Sequence, residues 1–287
     1  MSAKQPHILV FDSGVGGLSI VEAIKKTNPS CHLTYASDNA QFPYGTLETS
    51  QLIARVERVL TTVQKKISAD IIVVACNTAS TVVLPKIRSH FTQAIIGVVP
   101  AIKPAAEITT NKTIGLLATP GTINRNYTKE LINDFAHDCE IISVGSSELV
   151  LLAEKKLQNK TISQEALEKI TEPFRSNNNQ SSPDTMVLAC THFPLLKNEL
   201  ISVLPNITHW IDSGDAIARR LQFLIQKLNL LTDSEYNIES SSSKEFSTYI
   251  RPSTGYSIFT KKTTEVDLIK PALNKLNLGI ISYMEIK

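Results

Sequence analysis

The chain has 287 residues, 42% of them hydrophobic and 20% charged, so it can bury one large core or two smaller ones. Its net charge of +2 and lack of a basic run argue against a nucleic acid or a membrane surface as a partner. The sequence has no CxxC pair, no apolar stretch near the roughly 18 residues of a membrane span, and no signal peptide before its first apolar run. We therefore expect a cytoplasmic protein without a metal site.

Short apolar runs alternate with helical patterns through the first hundred residues. Strands are predicted at 7–12, 31–38, 70–76 and 94–99, and helices at 18–27, 47–67 and 77–91. The turn SGVGG follows the first strand, and the Pro and Gly of NAQFPYGT mark a loop after the second. This alternation predicts a parallel sheet with helices on both faces.

The same pattern starts again near residue 112. Further strands and helices are predicted at 112–123, 139–145, 146–157, 163–175, 185–190, 193–204 and 208–228. The weak repeat predicts an α/β fold of two pseudo-symmetric lobes, each with a mainly parallel sheet flanked by helices, and a cleft between them. We assign residues 1–98 and 208–287 to the first lobe, and residues 99–207 to the second.

The segments at 177–184 and 232–287 differ from this pattern. The first is polar and is predicted to be a loop, and residues 239–245 are of low complexity. Residues 246–287 are predicted to add two short strands and a helix over 263–277, packed on the first lobe.

A short phrase occurs once in each half of the chain. VVACNTAST contains Cys76 and VLACTHFPLL contains Cys190, and each phrase runs a buried strand through Ala-Cys into a helix. Ligands of open parallel sheets bind at this edge, and a helix N-terminus lowers a thiol pKa. A buried, inert thiol is the common alternative for one cysteine, and it is the reading that we keep for Cys31 and Cys139. For Cys76 and Cys190, the recurrence of Ala-Cys-x-Thr in both halves argues against an inert thiol.

Two thiols that face each other suit proton transfer on both sides of a carbon acid. Inversion of a stereocentre by deprotonation needs a base on one face and an acid on the other, and the roles exchange in the reverse direction. Two related lobes would supply this geometry, and they predict a racemase or epimerase type of reaction.

The turn VFDSGVGGLS places Asp12 and Ser13 at the end of the first strand. It lacks the last Gly of GxGxxG and the Lys of a P-loop, so a nucleotide is not expected. Its backbone N–H groups suit a substrate carboxylate. Asp12 is predicted to orient a substrate ammonium or to tune Cys76, with a helix N-cap as the structural alternative.

Several other residues are candidates for substrate contact or proton transfer. Tyr44 and Gly45 lie in the predicted loop, His192 directly follows the second Cys-Thr pair, and Glu154 lies late in a predicted helix. By itself, Glu154 has the pattern of a solvated surface charge. Three further candidates closely follow Cys76 or Cys190 and could equally be helix caps, namely Asn77, Thr78 and Thr191.

At these residues the chain resembles the glutamate racemase family, which makes D-glutamate for peptidoglycan without a cofactor. FDSGVGG, PYG, ACNTAS and ACTHFPLL occur in the order typical of the family, within a match over roughly residues 7–230. The resemblance implies two α/β lobes with the active site between them, no cofactor, L- and D-glutamate as substrates, and a homodimer. The tail after residue 232 differs from the family's usual short end.

The resemblance also implies roles for individual residues. Cys76 would move the proton of D-glutamate and Cys190 that of L-glutamate, with Asp12 and His192 as their respective assistants. Glu154 would be a further catalytic assistant, although its neighbourhood departs from the family pattern. Substrate contacts are implied for Asp12, Ser13, Tyr44, Gly45, Asn77, Thr78, Thr191 and His192.

Three other functions fit parts of this pattern. A thiol hydrolase or amidase would use Cys76 as its nucleophile and His192 as its base, but it leaves Cys190 unexplained. A two-lobed amino-acid binding protein would bind glutamate without chemistry. An aspartate racemase differs from a glutamate racemase by one methylene of substrate, which a spacing pattern cannot measure.

Overall fold

The computed structural model describes residues 5–175, 182–230 and 255–286. Ten strands in these ranges form two separate sheets. The strands are β1 His7–Asp12, β2 His32–Ser37, β3 Ile71–Val74, β4 Ala94–Gly97, β5 Thr113–Ala118, β6 Glu140–Gly145, β7 Thr185–Leu188, β8 His209–Ile211, β9 Tyr256–Phe259 and β10 Ile280–Tyr283.

Helices connect these strands and cover the sheets. They are α1 Leu18–Thr27, α2 Thr49–Ile67, α3 Asn77–Ile87, α4 Ile102–Ile108, α5 Pro120–Ile123, α6 Asn126–Phe135, α7 Glu148–Leu157, α8 Gln164–Thr171, α9 Lys197–Val203, α10 Gly214–Lys227, α11 Thr264–Leu268 and α12 Lys270–Lys275. Single turns of 3-10 helix occur at Tyr44–Thr46, Arg88–His90, Glu172–Phe174 and Phe193–Leu196. None of the helices in the described ranges is long and apolar enough to cross a membrane.

The two sheets repeat one topology. In the first sheet β1 lies between β2 and β3, with β4 outside β3, and in the second sheet β5 lies between β6 and β7, with β8 outside β7. All of these pairs are parallel. The predicted α/β architecture of two repeated parallel sheets is thereby confirmed. Corresponding strands end in corresponding places, which matters for the site described below.

The segment at 255–286 extends the first sheet. β9 pairs in parallel with β2 and β10 with β9, so this sheet has six strands among the described residues. The helix predicted over 263–277 is divided into α11 and α12. The low-complexity stretch at 239–245 lies outside the described residues, as does most of the loop predicted at 177–184.

The predicted lobe boundary at residue 208 is displaced by the strand pairing. The sequence assigns the last short strand to the first lobe, but β8 pairs with β7 in the second sheet. Only the following helix, α10, returns to the first lobe, where it packs along α1. A three-residue strand carries too little pattern to choose its partner, because hydrogen bonding across a sheet is a non-local property.

Apolar clusters lie on both faces of each sheet. β1 contributes Ile8 and Val10 to one cluster of the first lobe, and Leu9 and Phe11 to the other. The second sheet is enclosed in the same way by two further clusters. This burial on both sides explains why the strands are nearly continuous apolar runs rather than alternating ones.

Asp184 ties the start of β7 to the turn before β5. Its carboxylate accepts hydrogen bonds from the Thr109, Thr110 and Thr185 hydroxyls at 2.7–2.8 Å, and from the backbone N–H groups of Thr110 and Asn111. Burial alone would raise the pKa of Asp184, but these donors lower it well below its ordinary value. The carboxylate therefore stabilises the fold above the unfolded-state pKa near 4, and this contribution disappears as the pH falls through the lower, folded-state pKa.

We expect Asp184→Ala to lower the free energy of unfolding at neutral pH by about 2 kcal/mol, because several donors lose a charged acceptor. Urea unfolding at pH 7 measures the change. The exposed Asp134→Ala is the control, and it should change the unfolding free energy by less than about 0.5 kcal/mol. Equal stability of the two variants would contradict the assignment.

Candidate active site

A small cavity lies between the two lobes, at the carboxyl ends of the strands of both sheets. Its volume is about 140 Å³, close to that of a cavity that admits one benzene ring, so its ligand is a small molecule. Ten of the residues singled out in the sequence line it, namely Asp12, Ser13, Tyr44, Gly45, Cys76, Asn77, Thr78, Cys190, Thr191 and His192. The structure thus brings all but one of the predicted site residues to a single cavity.

The repeated topology explains how the two cysteines meet. Cys76 follows the end of β3 by two residues, and Cys190 follows the end of β7, the corresponding strand, by two residues. Parallel strands present their carboxyl ends at one edge of a sheet, where ligands bind. Two such edges face each other across the cavity, so each lobe contributes one thiol to it.

Cys76 is 7% exposed and lies at the N-cap of α3. Its Sγ is 3.8 Å from the Ser13 hydroxyl. Burial, followed by the nearby carboxylate of Asp12, raises the pKa of the Cys76 thiol well above its ordinary value. The expectation that the helix N-terminus would lower this pKa was therefore wrong, because desolvation and a negative neighbour outweigh the N–H groups of one helix turn.

Asp12 is completely buried at the end of β1. Its two carboxylate oxygens accept hydrogen bonds from the backbone N–H groups of Ser13 and Gly17, and Thr191 Oγ1 from the other lobe lies 3.5 Å away. Burial raises the pKa of this carboxyl, while the charge of His192 and the two N–H groups act in the opposite direction. The Asp12 side chain holds the turn at residues 13–17, which we call the glycine turn. It also places negative charge beside Cys76.

Cys190 belongs to a chain of three groups. Its Sγ is 3.9 Å from His192 Nδ1, and His192 Nε2 is 2.9 Å from Glu154 Oε1. Burial would lower the pKa of His192, but the interactions with Cys190 and Glu154 raise it well above its ordinary value. A protonated imidazole therefore lies between the Cys190 thiol and the Glu154 carboxylate, and it places a positive charge beside that thiol.

Glu154 is the one predicted site residue outside the cavity lining, and it joins the two lobes. Besides meeting His192, its Oε1 accepts a 2.9 Å hydrogen bond from the backbone N–H of Val15 in the first-lobe turn. Its side chain is only 16% exposed, so the sequence pattern of a solvated charge was misleading. Helical periodicity predicts which residues share a face of α7. It does not predict which distant residues of the chain contact that face.

The glycine turn is pressed against the second lobe. A Cβ at Gly16 would lie 2.4 Å from His192 Nδ1 and 2.7 Å from the His192 backbone nitrogen, closer than real Cβ atoms approach. Ser19 Oγ also donates to the carbonyl of Thr191 at 2.9 Å. Position 16 requires glycine because its backbone lies close to the backbone of His192, and not because the turn binds a phosphate.

The remaining lining residues present polar groups to the cavity. The side-chain oxygen of Asn77 is buried and has no hydrogen-bond partner in the described part of the chain, which leaves an acceptor available to a ligand donor. The backbone N–H groups of Tyr44 and Gly45 belong to a loop that lines the cavity. Donors and acceptors are thus both available, as a zwitterionic ligand requires.

Sequence reasoning missed several residues of the cavity wall. Thr119 and Thr122 hydrogen-bond to each other at 2.9 Å after β5, and Thr119 holds the position that Ser13 holds after β1. The internal repeat could have identified these two threonines, because residues 112–123 match the strand and turn at the start of the chain. Apolar walls come from Phe42, whose ring lies 5.8 Å from that of His192, and from Val150 and Leu151 of α7. Within the described ranges no group of three His, Cys, Asp or Glu side chains could hold a metal ion.

Comparison with protein families relates this site to known proteins. The model of the Asp/Glu/Hydantoin racemase family matches residues 18–221 of the chain. The glutamate racemase of Yersinia enterocolitica is 50% identical over 238 residues, which cover 83% of this chain and 82% of that protein. The glutamate racemase of Serratia proteamaculans is 51% identical over 235 residues, 82% of this chain and 81% of the relative.

Solved structures give the same relationship. The crystal structure of Escherichia coli glutamate racemase in complex with L-glutamate and the activator UDP-MurNAc-Ala matches with a TM-score of 0.87 and 41% identity, over 99% of each chain. The glutamate racemase of Aquifex pyrophilus matches with a TM-score of 0.68 and 26% identity, over 96% of this chain and 98% of that one.

Proposed function

This chain belongs to the Asp/Glu/Hydantoin racemase family, and on that premise we propose that it is a glutamate racemase in which Cys76 and Cys190 move the α-proton. The observation that carries the mechanism is the placement of two thiols after corresponding strands of two lobes, on one small cavity. A planar carbanion formed between them can be protonated from either side. The two thiols supply both the acid and the base, so the step requires no cofactor.

Cys190 acts as the base towards L-glutamate. The protonated His192 places its positive charge beside this thiol, and Glu154 holds the imidazole in place. The thiolate removes the α-proton and becomes a thiol, while the electron pair remains on the substrate as a carbanion conjugated with its carboxylate. The raised pKa of His192 keeps this assistance available at neutral pH.

Cys76 is the acid in the same direction. Its raised pKa keeps the thiol protonated beside Asp12, so it can donate a proton to the opposite face of the carbanion and yield D-glutamate. In the reverse direction the roles exchange, and Cys76 removes the proton of D-glutamate. Asp12 then assists Cys76 as His192 assists Cys190. The two thiols have different surroundings because Cys76 removes the proton of D-glutamate and Cys190 removes that of L-glutamate.

Substrate contacts are assigned from the available polar groups. The unpartnered oxygen of Asn77 suits the substrate ammonium, and Asp12 adds negative charge on the same side. The N–H groups of Tyr44 and Gly45 suit a carboxylate, with hydroxyl donors at Ser13, Thr78 and Thr191 around the cavity. A dicarboxylate amino acid needs both kinds of contact.

The test is to incubate the protein with each enantiomer of glutamate in D2O, and to follow optical rotation and α-deuteration. We expect each enantiomer to become a racemic mixture, with deuterium at the α-carbon of the inverted product. A folded protein that binds glutamate without deuterium incorporation would be a binding protein, and the two-base proposal would then be false.

The hydrolase alternative loses its main support in the structure. It required Cys76 as nucleophile with His192 as base, but the imidazole nitrogen of His192 faces Cys190 instead. A cysteine nucleophile without its base in hydrogen-bond reach lacks the arrangement that activates such residues. Aspartate remains a control substrate, because the pocket contacts described suit any dicarboxylate amino acid.

We further propose that the protein is a cytoplasmic homodimer that supplies D-glutamate for peptidoglycan. These assignments rest on the resemblance to glutamate racemases. Sedimentation equilibrium of the purified protein measures the oligomeric state, and a mass equal to the 31.6 kDa of one chain at micromolar concentration would contradict the dimer. Rescue of a D-glutamate auxotroph by expression of the chain tests the cellular role.

Glu154→Gln should shift the alkaline limb of the pH–activity profile. The protonated form of His192 exists below its raised pKa, so activity that depends on it is lost as the pH rises through that value. Glutamine can still accept the Val15 N–H but lacks the charge that raises the pKa of His192. We therefore expect the alkaline fall in kcat/KM to move to lower pH by about one unit.

The matched control for this change is Glu148→Gln, an exposed residue of the same helix. It should leave the pH profile of kcat/KM in place. An alkaline limb that stays at the wild-type pH in Glu154→Gln would show that Glu154 does not act through His192.

A further inference from the structure

Asp38 is a completely buried carboxylate next to the active site, and the proposed proton transfer does not use it. It directly follows β2, and its backbone N–H donates to the carbonyl of Asp12 at 2.9 Å. Its side chain does not line the cavity. It meets Tyr44, Arg55 and Thr260, which come from three separate parts of the chain.

The four acceptor positions of this carboxylate are all filled. Oδ2 accepts from the Tyr44 hydroxyl at 2.7 Å and from Arg55 Nε at 2.8 Å, and Oδ1 accepts from Arg55 Nη2 and the Thr260 hydroxyl, both at 2.7 Å. A bidentate guanidinium–carboxylate pair holds both planes in a fixed orientation. The phenol of Tyr44 is therefore a committed donor, and it is not free to bind substrate.

Tyr44 belongs to the segment 42–46, which we call the Tyr44 loop and which forms one wall of the cavity. Tyr44 is 1% exposed, and its backbone N–H and that of Gly45 belong to the part of the loop that lines the cavity. The contact between the Tyr44 side chain and Asp38 thus fixes the direction in which those N–H groups point.

The C-terminal segment supports the same carboxylate. Thr260 follows β9 directly, its hydroxyl also accepts from the Ala40 N–H at 3.0 Å, and Asn39 exchanges two hydrogen bonds with the backbone of Lys261. Arg55 Nη1 reaches the carbonyl of Ile286 at 2.9 Å, near the end of the chain. Residues of the segment 255–286 thus hydrogen-bond to Asp38 and Arg55 and to the two residues that follow Asp38.

We propose that Asp38, Arg55 and Thr260 are positioning residues for the racemase reaction, through which the C-terminal segment fixes the substrate-binding N–H groups of the Tyr44 loop. The inference rests on the proposed function. It gives the C-terminal segment a task in substrate binding, and it assigns the role of Tyr44 to its backbone. Because these residues contact neither thiol, their loss should weaken substrate binding more than the chemical step.

Thr260→Val is the sharpest variant, because it removes one hydroxyl and keeps the shape of the side chain. Asp38→Asn would leave a guanidinium without its counter-charge and endanger folding of the first lobe. For Thr260→Val we expect KM for both glutamate enantiomers to rise about ten-fold, with kcat within about two-fold of wild type. Thr260→Ser, which keeps the hydroxyl, should restore the wild-type KM.

Tyr44→Phe removes the partner hydrogen bond from the loop side and completes a double-mutant cycle. If Thr260 acts through Asp38 on Tyr44, the double variant should have the KM of Tyr44→Phe alone. Tyr44→Phe already removes the hydrogen bond to Asp38 through which Thr260 would act. Ser282→Ala is the control within the same segment. It removes a hydroxyl from β10, which β9 separates from the strand that leads to Asp38, and it should leave KM unchanged.

The outcomes separate this inference from the function on which it rests. A wild-type protein that racemises neither enantiomer would refute the proposed function before any variant is compared. An active wild type whose Thr260→Val variant keeps its KM would overturn the positioning role. A variant that loses only thermal stability, or whose KM effect simply multiplies with that of Tyr44→Phe, would also overturn it.

Discussion

Serine at either Cys76 or Cys190 should abolish racemisation in both directions, by about 10³-fold or more. A serine hydroxyl is a far weaker acid than a thiol, so it neither removes nor returns the α-proton at neutral pH. Enantiomers have equal free energy in water, so kcat/KM must stay equal in the two directions in any variant. Loss in one direction therefore implies loss in the other, and optical rotation measures both.

Hydrogen exchange distinguishes the two thiols where net rates cannot. In Cys190→Ser the remaining Cys76 should still exchange the α-hydrogen of D-glutamate with D2O without inversion, whereas L-glutamate should remain unlabelled. Cys76→Ser should give the opposite pattern. Proton NMR of each enantiomer over time measures the exchange.

The other cysteines supply the control for this experiment. Cys139 is partly exposed and directly precedes β6, at the opposite end of the strands from the cavity, so Cys139→Ser should retain wild-type racemisation. Full activity in Cys76→Ser or Cys190→Ser would refute the two-base mechanism. Loss of activity in one variant only would indicate a single catalytic cysteine.

Gly16→Ala is expected to lower kcat/KM by about 10²-fold or more while each lobe keeps its fold. The added methyl would lie 2.4 Å from His192 Nδ1 and 2.7 Å from the His192 backbone nitrogen. Because one of these atoms is backbone, a side-chain rotation cannot relieve the contact. The lobes must separate instead, and separation moves the two thiols away from a common substrate carbon.

The effect of Gly16→Ala is measured by steady-state kinetics together with the melting temperature. Gly121→Ala is the control, since a methyl there meets no atom within 4 Å although the residue also borders the cavity. It should change kcat/KM by no more than about three-fold. Near-wild-type kinetics for Gly16→Ala would mean that the two lobes do not need this close approach.

The sequence around Cys76 and around Cys190 was sufficient to predict the local structure at both places. Its apolar strand, the turn and the helix that follows are consecutive in the sequence, so periodicity and turn residues suffice to predict them. The same reasoning predicted β1, β2 and β4, and the recurrence of the pattern predicted a second sheet of the same kind. The resemblance to glutamate racemases is confirmed by relatives of about 50% identity.

Local patterns failed wherever a distant segment decided the outcome. Glu154 has the spacing of a surface charge on α7, yet it meets the Val15 N–H and His192 across the cleft. The strand β8 was assigned to the wrong lobe for the same reason. The pKa of Cys76 was expected to fall at a helix N-terminus, but its burial against Asp12 raises it.

By itself, the sequence determined two repeated α/β units, each with a cysteine at the end of its third strand, because these features depend on neighbouring residues. Only the tertiary structure decided that the two strand ends share one cavity, that His192 lies beside Cys190, and that Thr260 and Tyr44 meet at Asp38. Those relations join residues tens to hundreds of positions apart. They depend on how the two lobes pack against each other, and no spacing within a single segment encodes that packing.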